Sequence, residues 1–212
     1  MKKFLSLYIL TCTFIFFSKA EKVKGFYVTN NHDTIKALLK IPYNAAYSID
    51  FNFIKMQQEM EYINDVGEKI TMTPNDILAY GFEYYDEREE KDDTMVFVSK
   101  KNIFYRSTDF SDNDSTIFLM QLVKGKLSLY NYYSMSSISG GFGSASNNVM
   151  HSTPVLEFLN QKLFTYNTNK FKSEMAKYLA DCPIVLQKIE EKNYKNKHLH
   201  IVVELYNSLC RK

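Results

Sequence analysis

The chain has 212 residues, 26 basic and 24 acidic side chains and a net charge of +2; its 45% hydrophobic content includes 16 tyrosines and 16 phenylalanines but no tryptophan. That length suits one domain with a real core, and a ring-rich composition with only 7 glycines and 4 prolines excludes a disordered tail protein. A charge this close to neutral leaves no electrostatic footprint for nucleic acid or anionic lipid.

Residues 1–20 read as a secretory signal. Lys2 and Lys3 start it, an apolar run over 4–17 follows, and Ser18-Lys19-Ala20 places small residues at a cleavage site. The apolar run is short for a membrane span. Cys12 is a poor lipidation site, because Leu10 stands where a small residue is needed and the apolar run continues past the cysteine. The leader holds Lys2, Lys3 and Lys19 and no acidic residue, so its removal takes the charge from +2 to −1. The remainder, 21–212, is expected to be one α+β domain, β-rich over 21–166 and helical over 167–212.

In chain order, residues 24–29 and 34–41 read as a hairpin around Asn30-Asn31-His32-Asp33, where Asn and Asp tolerate turn conformations. Residues 48–55 alternate, with Ile49, Phe51 and Phe53 on one face and Asp50 and Asn52 on the other, as in a half-buried strand. A strand pair over 62–72 turns at Val66-Gly67. Thr73-Pro74-Asn75-Asp76 carries a helix-start signature good for about one turn. A strand over 79–85 precedes an acidic run, 86–93, expected as a long exposed loop. Strands over 95–99 and 102–106 follow.

The stretch 117–133 fixes the fold class. It reads as a hairpin with a two-residue loop at Lys124-Gly125. That register pairs Leu122 with Leu127, Met120 with Leu129 and Phe118 with Asn131 on an apolar face, and a one-residue slip would scramble it. Gly125 is expected to supply the positive φ of a tight turn. Its presence, with the β-branched and aromatic content, argues against one buried helix. The tyrosines of 126–133 are expected to line an exposed patch. Residues 136–148, with Gly140, Gly141 and Gly143 among serines, read as a flexible loop. A last strand or two is expected within 156–166.

The period then changes. Thr168 is expected to cap a helix to about 179 with Phe171, Met175, Tyr178 and Leu179 on one face. Pro183 opens a second, to about 191. A third, over 195–209, buries Leu199, Val202, Val203, Tyr206 and Leu209. Strands followed by helices predict an antiparallel sheet, a meander of hairpins, with about three C-terminal helices on one face or end.

Several short stretches carry a resemblance: Gly25-Phe26-Tyr27-Val28-Thr29-Asn30-Asn31-His32-Asp33-Thr34-Ile35, Thr73-Pro74-Asn75-Asp76-Ile77, Val123-Lys124-Gly125-Lys126-Leu127-Ser128-Leu129-Tyr130, Tyr178-Leu179 with Asp181-Cys182-Pro183, and Leu205-Tyr206-Asn207 with Cys210. Together they resemble an uncharacterised group of secreted proteins of Bacteroidota. The resemblance implies export, a β-rich body and a helical tail, and brings no activity.

Cys182 and Cys210 are the cysteines left after the leader, and an even count in an exported chain predicts a disulfide between them. His32, His151, His198 and His200 read as surface histidines. His198 and His200, two apart on a helix, point to different faces and do not share a metal. Asp109, Asp112, Asn113 and Asp114 lack the glycine and glutamate of an EF-hand loop. No strand–elbow–helix context surrounds Gly143-Ser144, and the glycines fit no nucleotide-binding spacing. The residues therefore imply no catalytic set, metal site or cofactor. Thr34, Thr94 and Ser115 each follow an aspartate in a triplet that suits O-glycosylation of exported Bacteroidota proteins. The resulting expectation is an exported envelope protein, periplasmic or at the cell surface, binding a protein or glycan without catalysis. It has no nucleic-acid partner and no stable membrane span. The alternative is a small secreted hydrolase or inhibitor whose site forms only on folding.

Overall fold

The structure, a computed structural model, describes residues 21–43, 51–86, 90–104, 116–138, 147–159 and 161–210. The leader, the acidic cluster at 109–114, Ser115 and the centre of the Gly/Ser stretch lie outside the described residues.

Within them the elements are β1 (Glu21–Thr29), β2 (Thr34–Ile41), α1 (Phe53–Gln58), β3 (Met60–Ile63), β4 (Lys69–Met72), β5 (Ile77–Asp86), β6 (Lys91–Lys101), β7 (Thr116–Val123), β8 (Leu127–Ile138), β9 (Asn147–Phe158), α2 (Phe171–Tyr178), α3 (Pro183–Glu191) and α4 (Leu199–Leu209). The strands form one antiparallel sheet in the order β4-β3-β2-β1-β5-β6-β7-β8-β9. The α+β class, an antiparallel sheet followed by C-terminal helices, is as the sequence predicts. The meander is interrupted once: β5 pairs β1 rather than β4, so two up-and-down runs share one sheet.

Cross-strand partners share a face, so the registers sort the side chains. One face carries Leu39, Tyr80, Phe82, Phe97 and Phe118, and α1 packs on it through Met56. Farther along that face Leu127, Leu129 and Leu156 meet Phe171, Met175, Val185, Val202, Val203 and Tyr206 of the tail helices. On the opposite face Ile117, Leu119, Tyr130, Tyr132 and Val155 are covered by Ile103, Phe104 and Leu163, with Phe104 stacked on Tyr132 at 3.7 Å. The β7–β9 end of the sheet is thus covered on both sides. Full burial of each large apolar side chain contributes about 1.5–3 kcal/mol.

Strand β8 is where the layers converge. β7 pairs it only through Met120↔Asn131, Gln121↔Tyr130 and Val123↔Leu129. The register shifts between Gln121 and Val123, so Leu122 becomes the extra residue of a bulge and is 42% exposed. Beyond this short ladder Leu127 and Tyr133 have no β7 partner, and two side-chain amides take its place. Gln57 of α1, fully buried, donates from Nε2 to the Tyr133 carbonyl at 2.8 Å and accepts the Tyr133 N–H at 2.6 Å. Asn207 of α4 donates from Nδ2 to the Leu127 carbonyl at 2.8 Å and accepts the Leu127 N–H at 2.9 Å.

These contacts correct the expected central hairpin. Its pairing is displaced by two residues, and residues 124–128 make the connection in place of a two-residue loop. Gly125 does not adopt a positive φ; Gly67 does. What Gly125 provides is space, since a Cβ there would stand 2.3 Å from Asn207 Nδ2. The tyrosines of β8 are not an exposed patch: Tyr130, Tyr132 and Tyr133 are 2%, 3% and 9% exposed.

Other local expectations shift for local reasons. Residues 53–58 are helix, not strand, begun by Asn52, whose side chain accepts the Lys55 N–H at 3.1 Å. Residues 73–76 form a turn without a helix; Asp76 accepts from the Thr73 N–H and hydroxyl at 2.8 and 2.7 Å. At the ends of the acidic run strand replaces the expected long loop, because Asp86 pairs Lys91 and Asp92 and Asp93 lie in β6. Residues 102–104 leave the sheet and fold over it. The left-handed residue of the first hairpin is His32, φ 67°, rather than Asn or Asp. The last long strand, β9, begins at Asn147, and within the expected final pair only an isolated bridge joins Leu156 to Phe164. A 3-10 turn, Thr168–Lys170, precedes α2, and Leu209 is exposed rather than buried.

Candidate functional site

Cys182 caps the start of α3 and Cys210 ends α4; the pair is disulfide-bonded, with Cα atoms 5.8 Å apart across a sequence separation of 28. Beside it Asp181 accepts from the Tyr206 hydroxyl at 2.7 Å, and Lys126 lies 3.6 Å from the same carboxylate and over the Tyr206 ring. A carboxylate, a tyrosine and a lysine meet again on the covered part of the opposite face. Glu157 accepts from Lys100 at 2.6 Å and from the Tyr130 hydroxyl at 2.8 Å, and Lys100 stands over the Tyr130 ring. Burial pulls the Lys100 ammonium down, but the bond to Glu157 together with the charges of Tyr130 and Glu157 outweighs it and leaves the group above its ordinary value. Burial, then the bond to Glu157, raises the Tyr130 phenol. Both groups therefore hold their protons at neutral pH, which suits a clamp between β6, β8 and β9 rather than a base.

A third polar cluster closes the other end of the sheet. Glu61 of β3, 9% exposed, faces Lys55 at 3.1 Å, Lys69 at 3.3 Å and Lys40 at 3.6 Å. Burial alone pushes its carboxyl up; the Lys55 bond and charge, then those of Lys69, outweigh that and hold it below the ordinary range. A shallow depression opens here, lined among others by Lys40, Pro42, Lys55, Glu59 and Tyr80. Its charged groups already satisfy one another. Among the described residues no group of three His, Cys, Asp or Glu side chains is placed to hold a metal. Ser136 Oγ and His151 Nε2 meet at 2.7 Å on the exposed β8–β9 ribbon, with no carboxylate of the described residues orienting the imidazole.

The surface with unspent chemistry is the face of β1–β5 opposite α1. Alternation along β1 places Lys22, Lys24, Phe26 and Val28 on it. Their partners on β2 are Lys40, Leu38, Lys36 and Thr34; Leu38 in turn pairs Ile63, which pairs Lys69 on β4. Across the other flank Phe26 meets Gly81, which meets Val96 of β6. Lys22, Lys24, Lys36 and Lys69 are exposed, and Leu38 is 38% exposed. Phe26 lies across Gly81, where a Cβ would come within 2.8 Å of its ring. On the packed face the same strands exchange roles: Gly25 pairs Phe82, and Leu39 fills the space that a Gly25 side chain would need. The two glycines thus leave room for the Phe26 ring on one side of the sheet and for Leu39 on the other.

Sequence reasoning did not single out this face. The signal was present as Lys22 and Lys24 on one strand and Lys36 and Lys40 on its neighbour, all at alternating positions, but a near-neutral total charge averaged it away. Of the residues singled out, Thr34 is exposed at the first position of β2, while Thr94, expected at a loop edge, lies inside β6 opposite Glu83. His32 sits at the exposed tip of the first hairpin. The Nδ1 of His198 accepts the Lys195 N–H, which ties it into the start of α4. No helix of the described residues is long and apolar enough to cross a membrane. No protein-family model, curated protein or solved structure matches the chain.

Proposed function

We propose that this is an exported envelope protein that acts as a non-enzymatic binding module through the open face of β1–β5. The leader-like residues 1–20 and the disulfide, a bond favoured in oxidising compartments, support export. The observation that carries the binding role is the contrast between the two ends of one sheet. The β7–β9 end is packed on both faces, whereas around β1 and β2 exposed Leu38 and half-buried Phe26 and Ile63 are set among exposed lysines. Apolar surface framed by charge is the composition of a recognition surface.

A photo-crosslinking residue at Leu38, compared with one at Leu209, tests this in the producing cell. Both positions are exposed, 38% and 43%. The reading predicts a specific adduct from Leu38 and none from Leu209; the same yield from both contradicts it. The hydrolase alternative has one observation in its favour, the Ser136–His151 hydrogen bond. An esterase or amidase activity abolished by Ser136→Ala would establish that reading instead.

A further inference from the structure

The charge and shape of this face point to an acidic polysaccharide as its ligand, held by Lys22, Lys24 and Lys36 with the Phe26 ring beneath a sugar. This inference rests on the reading of the face as a contact surface.

The charge comes first. Within β1–β5 the face bears Lys22, Lys24, Lys36, Lys40 and Lys69 against two carboxylates, Glu61 and Glu83. Glu61 is already engaged by Lys40, Lys55 and Lys69. Among the described residues Lys22, Lys24 and Lys36 have no carboxylate within ion-pair reach, so their charge is left for a partner. Lys24 and Lys36 are diagonal neighbours, about 7–8 Å apart at the backbone. Lys22 extends the row by one more strand repeat of about 7 Å. Three ammonium groups on flexible stems along one line match a polymer that repeats its carboxylates, rather than a single compact anion.

The ring decides between polyanions. Phe26 stands directly opposite Lys36 with its ring over Gly81, a half-buried aromatic surface beside a cation. The negative face of such a ring attracts the positively polarised C–H groups of a sugar. An acidic peptide could not join as an extra strand here, because β1, β2 and β5 lie inside the sheet with neighbours on both sides. Single-stranded nucleic acid is held by successive stacked aromatics; among the lysines of β1–β4 this face offers Phe26 alone, and the exposed Tyr85 lies on β5 beyond its last pair with β1.

The test uses the full secreted chain, titrated calorimetrically with alginate oligomers. Dextran, poly-glutamate and an oligothymidylate are titrated in parallel. Alginate is expected to bind, more weakly as salt rises towards about 0.15 M, where charges on a surface are screened beyond roughly 8 Å. Dextran is expected not to bind. Lys24→Glu/Lys36→Glu should weaken alginate by about tenfold or more with an unchanged melting temperature, and Phe26→Leu by about threefold. Alginate that fails to bind, or that binds the double variant equally well, overturns the inference. Poly-glutamate or oligothymidylate binding as tightly as alginate also overturns it, while leaving the contact face itself standing. Failure of the contact face would show separately, as loss of the specific adduct at Leu38.

Discussion

Gln57 closes a two-bond ring with the main chain of Tyr133, 76 residues away, through its own Oε1 and Nε2. This amide stands in for a missing strand at the point where β7 leaves β8, and it fastens α1 to the sheet. An unpaired buried main-chain group costs about 1–3 kcal/mol. Gln57→Ala leaves two, so a loss of about 2–6 kcal/mol is expected, seen as a lower urea midpoint with an unchanged slope. A loss within about 0.5 kcal/mol, the range of an ordinary surface change, would show that water replaces the amide freely.

Asn207 and Gly125 form a matched pair. Asn207 occupies the volume that a side chain at Gly125 would need. Gly125→Ala alone should destabilise by about 1–3 kcal/mol through overpacking. Combined with Asn207→Ala it should cost less than the two single changes added, with a coupling of about 1 kcal/mol or more. Strict additivity would mean that Gly125 is required for its backbone rather than for space.

The disulfide joins the start of α3 to the end of α4 across a separation of 28 residues. In the chain-entropy model such a closure contributes about 3–4 kcal/mol. Cys182→Ser/Cys210→Ser should lower the thermal midpoint without unfolding the sheet, because Val185, Val202 and Val203 still pack on Leu127 and Leu129. An unreduced intact mass showing two free thiols would remove the bond from the native protein.

The Glu61 cluster sets the acid limb of stability. Its folded-state carboxyl lies below the ordinary 4.5, so the unfolded chain takes up the proton first. The stability it contributes is complete above about pH 4.5 and is lost as pH falls through the folded-state value. Glu61→Gln should flatten urea midpoints between about pH 5 and 3 relative to the parent chain. Lys100 and Tyr130 act at the other end. Both are raised from ordinary values of 10.5 and 10.0, so their contribution is complete below those values and fades as pH climbs through the raised ones. Glu157→Gln should soften that alkaline limb. Parallel pH profiles for a variant and its parent would assign the titration elsewhere.

What could be read from the chain was local. Thr29 to Thr34 turn where asparagines and a histidine cluster, Pro183 opens α3, and the apolar stripe of Leu199, Val202, Val203 and Tyr206 is the one α4 buries. What could not be read was set by distant partners. The bulge at Leu122 belongs with Asn207 docking on Leu127, a contact 80 residues apart that no hairpin rule contains. Tyr130 and Tyr133 looked like surface residues because both faces of β8 are rich in rings; the strand is covered on both sides, so both sets are buried. The helix at Phe53–Gln58 was hidden by its six-residue length, although Asn52 was a legible cap. The open face was legible in alternation, Lys22-x-Lys24-x-Phe26 beside Lys36-x-Leu38-x-Lys40, once the two strands are paired.

Engagement of the β1–β2 face in the native setting can be measured through lysine reactivity without naming the ligand. Intact cells and the purified protein would be treated with a membrane-permeant acetylating reagent and the modified sites quantified by mass spectrometry. Lys24 and Lys36 are expected to be protected at least about threefold in cells, a margin of about 0.7 kcal/mol, while exposed Lys101 and Lys170 react equally in both. Equal reactivity of Lys24 and Lys36 in the two samples would contradict it.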